Sequence, residues 1–182
     1  MDQKKVSIIL ATTSCGGIGY NNNIPWNIPD DMRYFKRVTS FVTDKNKKNA
    51  VIMGRNTWES LKSKPLQNRL NIILTSNIEY EIDENYKKNT IISYNIDEAL
   101  MYCSGDNIES VFIIGGEQIY NIFLNDIKYK IMIDKIYLSI ITKKYDCDKF
   151  VNLDNILKNY KILPENITIY DDYTTIIAYN SL

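Results

Sequence analysis

Two short apolar runs end in glycine and open straight into a helical pattern. They are A-V-I-M-G at 50–54 before R-N-T-W-E-S-L, and S-V-F-I-I-G-G at 110–116 before E-Q-I-Y-N-I-F-L. Such runs, rich in β-branched residues and bounded by polar or glycine punctuation, read as buried strands. Similar runs at 5–11, 69–76, 90–93, 134–141 and 167–179 read the same way. Helical patterns lie between them from Pro29, at 55–61, at 97–103 with Asn95 or Asp97 as cap, and at 117–124 with Ile119, Ile122 and Phe123 on one face. Strand–helix alternation predicts an α/β fold: a mostly parallel sheet of about eight strands, with about four helices spread over both faces. The last two strands carry no strong helix between them, so a C-terminal strand is expected to run antiparallel at an edge. No linker or repeat divides residues 1–182, which reads as a single domain.

Composition removes several kinds of chemistry. The chain has no histidine, which excludes Ser-His-Asp hydrolysis and histidine metal sites. The three cysteines, Cys15, Cys103 and Cys147, are scattered and odd in number. No metal site is expected from them, and a reducing, cytoplasmic setting is. Lys plus Arg equals Asp plus Glu, so neither nucleic acid nor a charged membrane surface is an expected partner. No apolar run reaches the ~18 residues of a membrane span. The first residues lack a signal-peptide pattern and run directly into a strand.

One stretch stands apart: G-G-I-G-Y-N-N-N-I-P-W-N-I-P-D-D-M-R-Y-F-K-R-V-T-S-F-V at 16–42. The glycine-rich loop over 12–23 lacks phosphate-loop spacing and reads as a flap. Pro29 suits a first helical turn, and Asp30 and Asp31 favour the positive end of the helix dipole. At about 100° per residue, Asp31 shares a stripe with Phe35, Val38 and Val42. Asp31 is therefore either a solvated capping charge or a half-buried carboxylate at a pocket wall. In the second case burial raises its pKa and suits it to a cationic or amide-bearing ligand. Arg55 adds a positive charge where a strand ends in glycine and a helix begins, a place where α/β proteins hold anionic cofactor groups.

Five stretches together resemble dihydrofolate reductases in order and spacing. They are G-I-G-Y-N-N-N-I-P-W-N-I-P-D-D-M-R-Y-F-K, V-I-M-G-R-N-T-W-E-S-L, P-L-Q-N-R-L-N-I-I-L-T-S, F-I-I-G-G-E-Q-I-Y and D-K-I-Y-L-S-I-I, with weaker matching from about residue 143 onward. The resemblance implies a catalytic set of Asp31, Trp26 and Ser139. Asp31 would accept hydrogen bonds from the amino-pyrimidinone edge of a pterin, oriented by Ser139, where the family has threonine. Ile9, Phe35 and Ile114 would clamp the substrate rings, Leu61 and Leu66 would extend that wall, Lys36 would border it, and Arg69 would pair with the substrate's α-carboxylate. The implied NADPH contacts are Ala11, Ile18, Gly19, Gly54, Arg55, Asn56, Thr57, Thr75, Ser76, Gly115, Gly116, Glu117, Gln118, Ile119 and Tyr120. Gly115 and Gly116 would be joined by a cis peptide. Gln118 stands where many relatives carry a basic residue near the cofactor's 2′-phosphate, and Asn77 follows Ser76 where some carry arginine. Ile24 replaces a more flexible flap residue.

The implied activity is reduction of 7,8-dihydrofolate to tetrahydrofolate in one-carbon metabolism. Hydride passes from NADPH to pterin C6, and N5 is protonated. A monomer that binds dihydrofolate and antifolates is expected. Two rivals stay open at this point: a pyrimidinone reductase of riboflavin synthesis, and a nucleotide-binding module that has lost catalysis.

Overall fold

The computed structural model describes residues 4–180. Strands β1 (Val6–Thr13), β3 (Lys48–Gly54), β4 (Arg69–Leu74), β5 (Thr90–Ser93), β6 (Ile108–Ile113), β7 (Ile133–Ile141), β9 (Tyr160–Ile169) and β10 (Tyr173–Asn180) form one eight-stranded sheet. Its order is β5-β4-β3-β6-β1-β7-β10-β9. Every pairing from β5 to β7 is parallel, and β10 and β9 close that edge antiparallel. Strands β2 (Gly17–Gly19) and β8 (Lys149–Phe150) form a separate two-stranded ribbon. Parallel strands need crossovers, and the crossovers supply helices on both faces.

One face carries α1 (Pro29–Ser40) and α2 (Arg55–Ser60). Its apolar layer joins Ile9, Val51, Met53, Ile73, Phe112 and Ile114 to Phe35, Val38 and Trp58. The other face carries α3 (Ile96–Tyr102), α4 (Glu117–Asn125) and α6 (Leu153–Asn159), with the short α5 (Ile127–Lys130) following α4. There Ile8, Ile52, Ile72, Ile113, Phe123, Leu124 and Ile156 make the larger core. Alternation along each strand sends successive residues to opposite faces, so Ile113 and Ile114 fall in different layers.

Several sequence expectations need correction. The run 167–179 is a hairpin rather than one strand: β9 and β10 are joined at 170–172, where the Tyr170 N–H donates to the Tyr173 carbonyl at 2.9 Å. A helix, α6, does precede that hairpin, with Asn152 capping it by accepting from Asn155 N–H at 2.9 Å. The flap at 12–23 is partly strand, since residues 12–13 extend β1 and 17–19 form β2. Helix α1 stops at Ser40, short of Val42, because buried Asn49 takes the Thr39 and Phe41 carbonyls at 3.0 and 2.8 Å. Ile122 is exposed, and Tyr120 and Leu124 join Ile119 and Phe123 on the buried side of α4.

Candidate active site

Helix α1 delivers Asp31. Its first turn has no side-chain cap, and Pro29 opens it. The same turn brings Asp31 against the sheet, where its side chain is 7% exposed beside Ser139 of β7. Burial holds the Asp31 carboxyl above the usual carboxylate range, and a hydrogen bond with Ser139 partly offsets this. Ser139 is held in the sheet between Ala11 of β1 and Thr175 of β10. Asp30, one residue earlier, is exposed and pairs with Arg33 on the helix surface. Of the two readings open for Asp31, the structure selects the buried one. Tyr34 lies close enough to feel the same field. Its phenol is pushed up to about 12, by burial first and then by Tyr137, with smaller contributions from Tyr170 and Asp31.

Ile9, Phe35, Leu61, Leu66 and Ile114 belong to one apolar cluster with Trp58 and Tyr137. Leu66 is positioned by a buried amide. Asn71 accepts from the Leu66 N–H and donates to the Leu66 carbonyl, each at 3.0 Å, which pins the segment after the cis Lys64–Pro65 bond. Lys36 is exposed on α1. Trp26 is buried in a neighbouring cluster with Ile141, Tyr173 and Ala11, its ring tilted against Tyr145.

Arg69, at the start of β4, is 3% exposed. Its Nη1 donates to the Thr39 hydroxyl at 2.6 Å and its Nε to the Gln67 carbonyl at 3.0 Å. Burial lowers its pKa, yet no carboxylate among the described residues pairs with it. A buried guanidinium with donors to spare is matched to an anionic partner.

The glycines bring strand ends and helix starts close. The Gly54 N–H donates to the Gly115 carbonyl at 2.8 Å. A Cβ on Gly54 would lie 3.2 Å from Ile119 Cδ1, one on Gly115 3.0 Å from the Tyr120 ring, and one on Gly116 3.2 Å from Thr57 Oγ1. The Gly115–Gly116 peptide is cis, as expected from the sequence. Tyr120 anchors α4 to β1 through a hydrogen bond from its hydroxyl to the Ile9 carbonyl at 2.8 Å. The N-terminus of α4 has no side-chain cap, which leaves backbone N–H groups at that end. Glu117 instead turns its carboxylate to the Phe150 N–H, and Gln118 and Asn56 are exposed. Arg55 packs over the Tyr80 ring and lies 3.7 Å from Glu59. Thr75 is half-buried and Ser76 exposed beyond β4. Ile18 and Gly19 sit in β2, tied down by the Asp148 N–H donating to the Gly19 carbonyl at 2.9 Å.

Thr39, Asn71 and Asp148 were not singled out from sequence. The first two are polar residues inside apolar surroundings, a signal only burial reveals. Asp148 falls where the family resemblance is weak.

A family model described as dihydrofolate reductase matches residues 5–178. The dihydrofolate reductase of Heliothis virescens is 40% identical over 158 residues, covering 85% of this chain and 83% of that protein. That of Candida albicans is 44% identical over 129 residues, 69% of this chain and 65% of that protein. The bifunctional dihydrofolate reductase-thymidylate synthase 1 of Arabidopsis thaliana is 38% identical over 157 residues, and this chain spans 29% of its length.

Proposed function

The chain belongs to the dihydrofolate reductase family, and from that premise we propose how its residues carry out the family's reaction. The enzyme is an oxidoreductase that reduces 7,8-dihydrofolate to tetrahydrofolate. One observation carries the mechanistic reading: Asp31 is buried at the start of α1, beside Ser139. Asp31 holds the amino-pyrimidinone edge of the pterin through paired hydrogen bonds, and the Ser139 hydroxyl keeps the carboxylate in register. Ile9, Phe35 and Ile114 pack against the rings and exclude water from them. Leu61 and Leu66 cover the middle of the substrate. Arg69, prepositioned by Thr39, takes its α-carboxylate.

The residues around Gly54, Gly115 and Gly116 fit a dinucleotide. Side chains there would fill the space beside Thr57, Ile119 and Tyr120, and the uncapped start of α4 offers N–H donors. NADPH bound there would supply the hydride. Ala11, Ile18 and Gly19 would hold its nicotinamide end, Arg55, Asn56 and Thr57 its phosphates, and Thr75 and Ser76 its adenosine end. The chain's own contribution is orientation at near-attack distance. The N5 proton comes from water, with Asp31 biasing the pterin toward accepting it.

All the strands of the main sheet belong to one layer, which supports reading residues 1–182 as one domain. Free cysteines at 15, 103 and 147 support a cytoplasmic setting, and among the described residues no helix is long and apolar enough to cross a membrane. We place the enzyme in one-carbon metabolism as a monomer that also binds antifolates. The test is dihydrofolate-dependent oxidation of NADPH by the purified protein, titrated with methotrexate. Turnover that the antifolate stops stoichiometrically is expected. NADPH binding without turnover would remove the mechanism.

A further inference from the structure

Beside the flap lies a cleft of about 510 Å³, lined by Thr13, Cys15, Lys144, Tyr145 and Cys147 among others. None of these carries the proposed folate chemistry. Cys15 is exposed in the turn before β2, and Cys147 is half-buried in the segment before β8. Two residues after Cys15, Gly17 comes so near the second thiol that a Cβ there would fall 2.5 Å from Cys147 Sγ. The lack of a side chain at Gly17 therefore lets the Cys147 side chain pack directly against the turn that carries Cys15. Gly16, at φ +84, gives that turn a backbone conformation L side chains rarely adopt.

We propose that this cleft is a thiol-modification site, where Cys15 and Cys147 react with a low-molecular-weight disulfide and become joined. The exposed Cys15 thiolate attacks one sulfur of the small disulfide. That S–S bond breaks, one small thiol leaves with a proton, and Cys15 carries a mixed disulfide. Cys147 then attacks the Cys15 sulfur, loses its own proton and displaces the second small thiol. The small disulfide is reduced by two electrons, and the two cysteines are oxidised by two. Cys147 suits the resolving role because it is half-buried against the turn that carries Cys15; burial raises its thiol pKa, so it is the slower of the two to meet a small disulfide first. Cys103 is excluded from the exchange, being 1% exposed with its thiol pushed up to about 12 by burial.

The cross-link would strengthen an attachment already present. The Val151 N–H donates to the Gly16 carbonyl at 2.8 Å, and the Asn21 N–H to Asp148 Oδ2 at 3.1 Å. Joining the sulfurs adds a covalent tie at the flap's leading end.

The experiment treats the reduced full chain with glutathione disulfide and maps the thiols by mass spectrometry without reductant. Hydrogen exchange over residues 16–23 is followed in parallel. A Cys15–Cys147 linked peptide should exceed the Cys15 mixed disulfide by about tenfold or more. Exchange in the flap should slow by about tenfold, and a dithiol should reverse both changes. Cys147→Ser should stop at the mixed disulfide on Cys15, and Cys15→Ser should leave Cys147 at least about tenfold slower to react. A persistent mixed disulfide in the unsubstituted chain, a link to Cys103, or unchanged exchange after linking would each overturn the proposal. None of these readouts depends on folate turnover.

Discussion

The Arg69 guanidinium donates to the Thr39 hydroxyl at 2.6 Å, and that hydroxyl donates in turn to the Phe35 carbonyl at 2.7 Å. One short relay thus joins the start of β4 to the last turns of α1 and fixes the direction of a buried cation. Thr39→Val keeps the shape and removes the acceptor. A buried charge that loses a partner costs about 1–3 kcal/mol. Urea denaturation should show a loss in that range. If Arg69 takes the substrate's α-carboxylate as proposed, KM for dihydrofolate should rise several-fold with kcat little changed, because that contact lies far from the reacting atoms. A fall in kcat with unchanged KM would argue against the anchor role.

Asp31→Asn separates stability from catalysis. The folded-state pKa of Asp31 is raised by burial. Its contribution to stability is therefore complete below the unfolded carboxyl pKa and is lost as pH rises through the folded pKa. Asparagine does not titrate, so the variant should be at least as stable as the parent at pH 7. The difference should shrink toward acid, which chemical denaturation across pH 3 to 8 would show. Activity should move oppositely, falling at neutral pH by about 10²-fold or more and recovering in part at low pH.

Gly115→Ala tests the glycine pair. At φ +112, and with a Cβ forced to 3.0 Å from the Tyr120 ring, alanine is strained on two counts. A loss of about 1–3 kcal/mol is expected, accompanied by weaker NADPH binding in a fluorescence titration. Tyr120→Phe makes the milder comparison. Removing the hydroxyl that meets the Ile9 carbonyl at 2.8 Å should cost about 1 kcal/mol.

What could be read from the sequence was what repeats locally or carries unusual residues. The parallel half of the sheet was legible because 50–54 and 110–116 are continuous apolar runs ending in glycine. Asp31 was legible as a choice between two readings, since a first-turn carboxylate on an apolar stripe has the same pattern whether buried or solvated. Contact with Ser139, more than a hundred residues away, decided it. The break between β9 and β10 was hidden because Tyr170 and Tyr173 continue a strand-like composition through the turn, where their rings stack at 4.6 Å. Helix α6 was hidden by its length, as Leu153 and Ile156 alone mark its buried side. The β2–β8 ribbon depends on pairing between distant short segments, for which neither segment carries a signal.

Arg55 tests the proposed preference for NADPH over NADH. Its guanidinium is 40% exposed and divided between the Tyr80 ring at 5.7 Å and Glu59 at 3.7 Å. Asn77 and Gln118 are both exposed and bring no charge. If Arg55 alone supplies positive charge to the 2′-phosphate, Arg55→Gln should lower kcat/KM for NADPH about tenfold and leave NADH nearly unchanged. Gln118→Arg should move the ratio the other way. Glu59→Gln, by freeing Arg55 from its helix neighbour, should favour NADPH modestly, since an exposed ion pair of this kind is worth under about 1 kcal/mol. Steady-state kinetics with both cofactors checks all three. An unaltered preference in Arg55→Gln would assign the discrimination to backbone donors at the helix starts instead.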